Sequence, residues 1–565
     1  MPDLAAQDLG QLVVGHWVRL KGALDERGEF VVSEIELREP GSAEELFGTA
    51  RDVDVSEGNF AVLGQRVHVS ERTEWTGVTL DTLEGVRVLV QGHYRGLLKF
   101  SGREIEARDK GRDRIEGRID QLVHGPDGSL ELRVMSFRVR VPADAKLSAE
   151  KPVAEYPLAP EGAEAQVFAV RDEDEVRPGS ISLTDTLSFG GQLEWKTERR
   201  DNYDLDDQAR NDEVRQRWSL RGEFLWEPSP DFFALLGLRG EATVNRQEED
   251  PTNRDQDGDL TEAYGYWRDP FGFGLDMQVG RQDFDEPREW LYDRNLDAVR
   301  ANWNWTGGRL ELSASTVLTE GSATDRDTNN LIAYLSNGDW NRHVGAYVID
   351  RQDHSGDEDK PIFAGVRALG EWIPDNEVWL ELSAVRGYND TVDFGGEALD
   401  VGTTWSPPPL DPFYFTVGYA LGSGDSDPND DVDEAFQQTG LQDNNGRFGG
   451  VTSFRYYGEL VDPELSNLGI VTVGVGTRLS RKTSLDLVWH SYRQADANDS
   501  LVNSDLDADP DGVHQDLGTE LDLILGLRSW DHVDVEVVLA DFDPGAAFPD
   551  GDNAWLGAFQ VRYRF

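Results

Sequence analysis

Cysteine is absent from this 565-residue sequence. The chain therefore has no disulfide framework, no thiolate metal site and no cysteine nucleophile. Basic residues are scarce beside acidic ones, with 54 Lys and Arg against 108 Asp and Glu and a formal net charge of −54. Such acidity argues against nucleic acid as a partner. It suits a protein that stays soluble at high salt, so we expect a halophilic source.

Long apolar runs are also absent. No stretch approaches the roughly 18 apolar residues that a membrane helix needs, and the mean hydropathy is −0.54. The first residues, Met1-Pro-Asp-Leu-Ala-Ala-Gln7, lack the basic and apolar regions of a signal peptide. If the protein is exported, we expect a mature chain given a new methionine. This composition argues against a helical membrane protein but permits a β-barrel, in which only alternate residues of each strand meet lipid.

Catalytic motifs are missing too. The sequence contains no G-x-S-x-G, no H-E-x-x-H and no P-loop. Carboxylates are so abundant that no pair stands out for acid–base work. A hydrolase with a nucleophilic serine is the enzymatic alternative, but no Ser–His pair is marked by its context. We therefore expect a protein that is not an enzyme.

The final twelve residues, 554–565, show the pattern that organises most of the chain. Side chains on a strand alternate between two faces. One face here is aromatic and apolar, with Trp555, Phe559, Val561, Tyr563 and Phe565; the other carries Leu556, Ala558, Gln560, Arg562 and Arg564. A chain that stops on an aromatic residue in such a strand is typical of the closing strand of an outer-membrane barrel. The alternative is the last strand of a soluble sheet.

From Ile181 onward the same alternation recurs in strands of roughly 9 to 15 residues, the length that a tilted membrane strand requires. Eight short turns alternate with nine long polar loops, among them 245–259, 282–295 and 423–466. This arrangement predicts an all-β fold with an 18-stranded antiparallel transmembrane β-barrel over residues 180–565. Short turns on one side and long loops on the other indicate the outer membrane of a Gram-negative bacterium.

The N-terminal part contains an internal repeat. The stretch Gly15-His-Trp-Val-Arg-Leu-Lys-Gly22 recurs 70 residues later as Gly85-Val-Arg-Val-Leu-Val-Gln-Gly92. Self-similarity at a fixed offset indicates two copies of one unit. We predict β-rich repeat units over 1–78 and 79–142, followed by a Pro-punctuated linker over 143–179. The repeats resemble small β-barrel repeat domains of unknown function from bacterial envelope proteins.

Three stretches resemble the alginate-export outer-membrane porin family over about 180–565. They are Gly280-Arg-Gln-Asp-Phe284 and its continuation through Leu296, Gln438-Thr-Gly-Leu-Gln442 through Tyr456-Tyr-Gly-Glu-Leu460 to Asn467, and Ser484-Leu-Asp-Leu-Val-Trp-His490 through Gln494. The resemblance implies a monomeric 18-stranded barrel that passes an anionic polysaccharide by diffusion through an arginine-lined lumen. The family carries a long periplasmic gating loop. Here the last turn, Ser529 to His532, is short, and the chain is far more acidic than a polyanion conduit implies.

Placing the apolar face outward predicts which charged residues line the pore. They are Arg215, Arg217, Arg221, Arg239, Arg300, Arg309, Arg367, Arg528 and Arg562, with Glu223, Glu241 and Glu371. Guanidinium groups bind carboxylates in a bidentate manner, so rows of them suit a moving anionic polymer. The alternative is that arginine and glutamate pair with each other and brace the barrel. Because arginines are denser in the earlier strands and acids in the later ones, we also expect a transverse field across the pore.

The long loops suggest further sites. Loop 282–295, with Arg281, Arg288, Tyr292 and Arg294, is expected to fold inward and narrow the pore, and loop 423–466 to cap the mouth. Asp255, Asp257 and Asp259 are candidate calcium ligands in an outer loop, the alternative being a solvated acidic loop. No other cofactor is expected.

Three functions stay open on this evidence. The first is an export or diffusion channel for an anionic, alginate-like polysaccharide, and the second is a general or small-anion porin. The third is a scaffold barrel whose N-terminal repeats, expected in the periplasm, dock a periplasmic or extracellular partner. Expected partners are outer-membrane lipid and the transported anion, and the expected oligomeric state is a monomer.

Overall fold

The structure of the protein is a computed structural model that forms two compact units, Met1–Gln166 and Val167–Phe565. It describes residues 9–565 except 14, 25–29, 40–43, 56–57, 70–72, 95–98, 109, 120, 125–128, 136, 144, 150, 152, 154–155, 157–180, 185–186, 210–211, 230–231, 248–251, 268–269, 272–274, 287, 306–307, 319–327, 338–341, 355–358, 374, 390–391, 411, 428, 481 and 531. Within these residues no helix has the length and apolar character needed to cross a membrane. The described helices are short 3-10 turns at Leu9–Gln11, Leu80–Thr82 and Pro408–Leu410.

The first unit is a 13-stranded sheet. Its strands are β1 Trp17–Leu24, β2 Phe30–Arg38, β3 Glu44–Asp54, β4 Asn59–Val62, β5 Gln65–His68, β6 Glu74–Thr76, β7 Arg87–Tyr94, β8 Lys99–Ala107, β9 Asp113–Arg118, β10 Gln121–His124, β11 Leu130–Val134, β12 Phe137–Val141 and β13 Lys146–Ser148. Val18 and Leu20 of β1 and Val88 and Val90 of β7 are fully buried in one shared core. The offset of 70 residues thus relates strands that occupy equivalent core positions.

The two repeats exchange strands. β1 pairs with β9, and β3 pairs with β7. In the same way β2 pairs with β12 and β13, and β8 pairs with β5 and β6. Each copy therefore completes the sheet of the other, and the predicted units 1–78 and 79–142 do not fold as separate domains. The predicted linker also begins too early, because β13 and the buried Tyr156 belong to this core, while 157–179 lies outside the described residues.

The second unit is the barrel. Its 18 long strands are β15 Leu187–Asp201, β16 Glu213–Ser229, β17 Phe232–Gln247, β18 Asn253–Trp267, β19 Leu275–Asp285, β20 Asp293–Trp305, β21 Gly308–Thr316, β22 Thr328–Ser336, β23 Arg342–Asp353, β24 Lys360–Ile373, β25 Asn376–Tyr388, β27 Glu397–Trp405, β28 Phe413–Gly422, β32 Leu468–Ser480, β33 Thr483–Gln494, β34 Asp516–Trp530, β35 Val533–Pro544 and β36 Ala554–Arg564. Short strands accompany them: β14 Ile181–Thr184, β26 Asp393–Phe394, β29 Val432–Asp433, β30 Asn445–Gly446 and β31 Phe454–Arg455.

The barrel closes between its first and last long strands. β15 and β36 pair antiparallel from Gln192↔Arg564 to Asp201↔Trp555. Every other neighbouring pair of long strands is antiparallel as well, so among the described residues each long strand has a long-strand partner on both sides. Closure satisfies the backbone polar groups that lipid cannot. The prediction of an all-β, 18-stranded antiparallel barrel, with the last residues as its closing strand, is confirmed.

The outer face is apolar, as the alternation requires. Trp218, Leu220 and Val473 remain exposed on the barrel exterior, and their strand neighbours of opposite parity face the interior. Large exposed apolar side chains distributed around a closed barrel provide the surface that acyl chains cover.

This face yields a stability prediction. Val473→Arg, in the middle of β32, is expected to reduce the free energy of folding into lipid vesicles by about 2–4 kcal/mol, because it places a charge at the bilayer midplane. Urea titration of the barrel refolded into vesicles measures the loss. Val473→Leu is the matched control and should behave like the wild type. An equal loss in both variants would mean that this face does not contact lipid.

Candidate functional site

Most of the connection between β28 and β32 folds into the barrel. We call residues 436–465 the interior segment. Its apolar side chains are at most 5% exposed, and the group comprises Phe436, Leu441, Phe448, Phe454, Leu460 and Leu465. The prediction that 423–466 caps the mouth is therefore wrong for this part. Only the preceding residues, where β29 pairs parallel with β26, stay at the long-loop end.

A second loop, residues 286–292, also lies inside. Arg288 donates to an Asp400 carboxylate oxygen at 2.8 Å, and its guanidinium lies 4.2 Å from the ring centre of Tyr456. Trp290 Nε1 donates to Tyr457 Oη at 3.0 Å, and Tyr292 is 1% exposed. Arg288 and Tyr292 therefore both lie inside the barrel, while narrowing of the pore by this loop stays a prediction.

The other two residues assigned to that loop lie in strands. Arg281 belongs to β19, where it forms an ion pair with Asp297 at 3.3 Å. Arg294 belongs to β20 and is exposed. The predicted loop was too long at both ends, because β19 and β20 pair as far as Asp285↔Asp293.

The interior segment is tethered along much of the barrel depth. Tyr457 donates from its hydroxyl to Asp400 at 3.1 Å, and the backbone amides of Leu460 and Val461 donate to Glu520 at 2.6 and 3.1 Å. Near the short turns, the Val451 amide donates to Ser484 Oγ at 2.9 Å. The segment thus runs from the long-loop end to the start of β33.

The sequence analysis did not identify the residues that form these tethers as functional residues. Tyr456, Tyr457 and Glu520 are each at most 3% exposed, and the sequence analysis named the two tyrosines only as part of a family motif. One signal was available. A polar loop exposed to solvent has little reason to contain Phe436, Phe448 and the Tyr456–Tyr457 pair within so short a stretch, because such side chains dominate cores and interfaces.

Three predicted pore arginines are buried beside these inner loops. Arg300 and Arg309 both pair with Glu311, at 2.9 and 3.2 Å, and are at most 1% exposed. Arg367 lies between two carboxylates, Glu286 at 2.7 Å and Glu381. The prediction that these three line a water-filled lumen is wrong. They face inward, but inner loops and acidic partners enclose them, as the bracing alternative describes.

The opposite side of the barrel interior contains water-exposed charge. We call the inward faces of β15–β18 and β36 the open wall. The side chains of Arg215, Arg217 and Arg239 there are 40–43% exposed. Arg221 and Arg562 are less exposed, at 15% each, and Arg528, which precedes the last short turn, is buried.

Every arginine of the open wall has an acidic partner. Arg217 lies 3.0 Å from Glu194, and Arg562 lies 3.3 Å from the same carboxylate. Arg239 pairs with Asp259 across β17 and β18. Positive and negative groups therefore interleave on neighbouring strands, rather than facing each other across the pore as the predicted transverse field required.

The three predicted glutamates fall in different places. Glu223 is buried and pairs with Arg221. Glu241 lies on the open wall, in register with Asp257. Glu371 is exposed near a short turn, where it accepts the Asp375 amide at 3.0 Å, so it is not on the open wall.

The candidate calcium ligands are not in a loop. Asp255, Asp257 and Asp259 lie in β18, which pairs with β17 from Arg239↔Asp259 outward to Asn245↔Asn253. The predicted loop 245–259 is therefore wrong, and the three carboxylates belong to the open wall. Calcium binding by these residues stays a prediction. A different group, Glu289, Asp293 and Asp443, is close enough to share a cation.

Two carboxyl groups of the inner loops have shifted pKa values. Burial raises the pKa of Asp462 to about 7 and that of Glu289 to about 11, and neighbouring carboxylates reinforce the second shift. Each folded-state pKa lies above the unfolded value of about 4. The stabilisation from each bound proton is therefore complete below pH 4 and is lost as the pH rises through the folded value.

We therefore expect thermal unfolding in detergent micelles to shift to lower temperature as the pH rises from 5 to 9. Asp462→Asn should flatten the part of this dependence near pH 7, since the amide does not titrate. Asp430→Asn, an exposed position earlier in the same connection, serves as the control. If Asp462→Asn retains the full wild-type pH dependence, titration of Asp462 is not the cause of the change near pH 7.

Comparisons with known proteins place this geometry in context. The family model described as alginate export matches residues 185–559, and a domain of unknown function, DUF5666, matches residues 49–98. The alginate production protein AlgE of Pseudomonas aeruginosa is 26% identical over 326 residues, 48% of this chain and 64% of the relative. AlgE of Pseudomonas syringae pv. tomato is 23% identical over 493 residues, 69% of this chain and 96% of the relative.

This chain spans a little under two thirds of the P. aeruginosa relative's length. Solved structures that match the chain include OccK7 of Pseudomonas aeruginosa, at 12% identity and a TM-score of 0.45, and OccAB4 of Acinetobacter baumannii, at 9% identity and a TM-score of 0.45. Each comparison covers 68% of this chain and 99% of the other.

Proposed function

The chain belongs to the alginate export family and is an outer-membrane protein of a Gram-negative bacterium, and on this premise we propose that it is a channel for an anionic polysaccharide. The observation that carries the proposal is the set of water-exposed guanidinium groups on the open wall. Arg215, Arg217 and Arg239 project into the interior of a closed barrel, where an anionic polymer is able to meet them.

The pairing of these arginines suits passage rather than capture. A guanidinium has five N–H donors, so an arginine already bound to one carboxylate keeps donors for a second. The neighbouring acid competes with the polymer for the same group, which keeps any single contact weak. Conduction requires binding that is favourable enough to admit the solute and weak enough to release it.

Planar-bilayer recording tests the proposal. We expect a steady current that falls when a uronate polymer is added on the short-turn side. An uncharged dextran of similar length is the matched control and should reduce the current less. An equal reduction of the current by the two polymers would contradict the polysaccharide proposal. The absence of any current would contradict the channel proposal.

A small-anion porin is the second candidate. The observation that favours it is the interior segment, which occupies much of the lumen beside β24–β28 and β32–β34 and narrows the space left for a polymer. In that case the channel conducts chloride, and the uronate polymer leaves the current unchanged.

We also propose a periplasmic location for the N-terminal unit. β15 begins and β36 ends at the short-turn end of the barrel, and short turns face the periplasm in bacterial barrels. Protease added to intact cells should spare this unit, and cleavage there would contradict the location. A scaffold role, in which this unit docks a partner, predicts a barrel without conductance.

A further inference from the structure

We infer that the interior segment is a permanent wall of the channel, and that solute passes along the open wall, where Arg215, Arg217 and Arg239 determine selectivity. This inference rests on the proposed function, because it assigns the path within the same channel. It also separates two kinds of inward-facing arginine that the sequence pattern does not distinguish.

The first argument is the way in which the interior segment is held. Its aromatic side chains pack against strands rather than against each other alone: Phe448 stacks on Trp379 of β25, with ring centres 5.7 Å apart and planes 7° apart. Tyr492 of β33 donates to the Tyr457 carbonyl oxygen at 2.8 Å. Moving the segment out of the barrel would leave these buried polar groups without hydrogen-bond partners and would expose the aromatic rings to water. Both changes are unfavourable.

The second argument is the tip of the segment, which is fixed as firmly as its middle. Thr452 donates from its hydroxyl to Glu536 of β35. Arg478, near the end of β32, donates to the Gly449 carbonyl oxygen at 2.7 Å. A gate that swings into the outer medium would need a tip that is free, and here the tip is bonded on two sides near the short turns.

The third argument is the contrast in exposure between two sets of inward arginines. Arg300, Arg309 and Arg367 are at most 2% exposed, whereas Arg215, Arg217 and Arg239 are 40–43% exposed. Water therefore reaches the interior at these three positions of β16 and β17, which lie on the long-loop side of the buried Glu223 and Glu262, and it does not reach the first three arginines. A charged solute follows hydrated charge, because entering the enclosed side would require it to shed its water.

The absence of cysteine makes this wall testable by cross-linking. A Cβ built at Gly526 of β34 lies 3.0 Å from the Cβ of Thr452, which a shift of about half an ångström brings to the separation of a disulfide. We expect the oxidised Thr452→Cys/Gly526→Cys variant to show the same conductance and the same uronate block as the reduced protein. The Thr452→Cys single variant controls for the oxidant.

Loss of conductance on oxidation, restored by reduction, would overturn the inference, because it would show that the segment must move. This outcome is distinct from failure of the proposed function, in which the wild type itself does not conduct or does not respond to the polymer. Mass spectrometry of the oxidised barrel establishes that the cross-link has formed.

A second measurement does not depend on the cross-link. Arg217→Cys on the open wall and Ser383→Cys on the enclosed inner face of β25 are each treated with a bulky, water-soluble thiol reagent. We expect the current through Arg217→Cys to fall and that through Ser383→Cys to stay unchanged, since Ser383 is 8% exposed. The reverse pattern would place the path behind the interior segment and overturn the inference.

Discussion

Replacing Arg217 and Arg239 together with glutamine is expected to shift the selectivity of the channel away from anions by about fivefold. Two unit charges about 4 Å apart interact by roughly 1 kcal/mol in water, and 1.4 kcal/mol corresponds to a tenfold change in an equilibrium. Both side chains are solvated, at 40% and 41% exposure, so the aqueous figure is the appropriate one. Reversal potentials in a potassium chloride gradient measure the shift.

The control for this experiment is Arg386→Gln. Arg386 is 54% exposed and pairs with Glu397, but it alternates with the buried, inward-facing Val385 and so lies on the outer side of β25. It should leave the reversal potential unchanged. Because a Debye length of about 3 Å at 1 M salt screens solvated charges, the effect of the double variant should shrink there. An unchanged reversal potential at low salt would exclude the open wall as the path.

Arg367→Met is expected to reduce the stability of the barrel by about 3–5 kcal/mol, because it leaves two buried carboxylates without a counter-charge. Arg367 donates to both oxygens of Glu286, at 2.7 and 3.0 Å, and pairs with Glu381. Glu286 in turn accepts the backbone amides of Trp290 and Leu291. Urea titration of the barrel refolded into vesicles measures the loss.

A matched variant separates this effect from the general removal of an arginine. Arg386→Met deletes an exposed ion pair and should cost no more than about 1 kcal/mol. We also expect Arg367→Met to increase the single-channel conductance, because it releases the loop 286–292 that Glu286 holds inside the barrel. Equal destabilisation by the two variants would contradict the bracing role of Arg367.

Much of the barrel was predictable because the information is local. Alternation in stretches such as 217–226 and 554–565 identifies the outer face residue by residue, and a closed barrel needs little more than that pattern and short turns between strands. The strand count and the closing strand followed directly. The predicted loop over 245–259 was wrong because composition alone misleads there: aspartates suggest a loop, but pairing with β17 extends β18 through Asp255, Asp257 and Asp259.

The N-terminal repeat shows where sequence reasoning reaches its limit. A 70-residue offset reveals two copies but not whether each copy pairs its strands internally. Here β1 pairs with β9 and β3 with β7, so the copies are interleaved. The same apolar alternation is compatible with either pairing, because strand period does not specify the partner strand.

The inward-facing arginines divide into buried and water-exposed ones, and here too contacts between distant parts of the chain decide the outcome. The alternation of residues specifies that Arg217, Arg239, Arg300 and Arg367 all point into the barrel, because charge on the lipid face is costly. It does not specify which of them meet water. That depends on some 30 residues of the connection after β28 folding back to pack Phe448 on Trp379 and Tyr457 on Asp400, contacts between positions far apart in the chain. Periodicity assigns a side chain to a face, whereas its hydration is set by what fills the space opposite, and only the folded chain determines that.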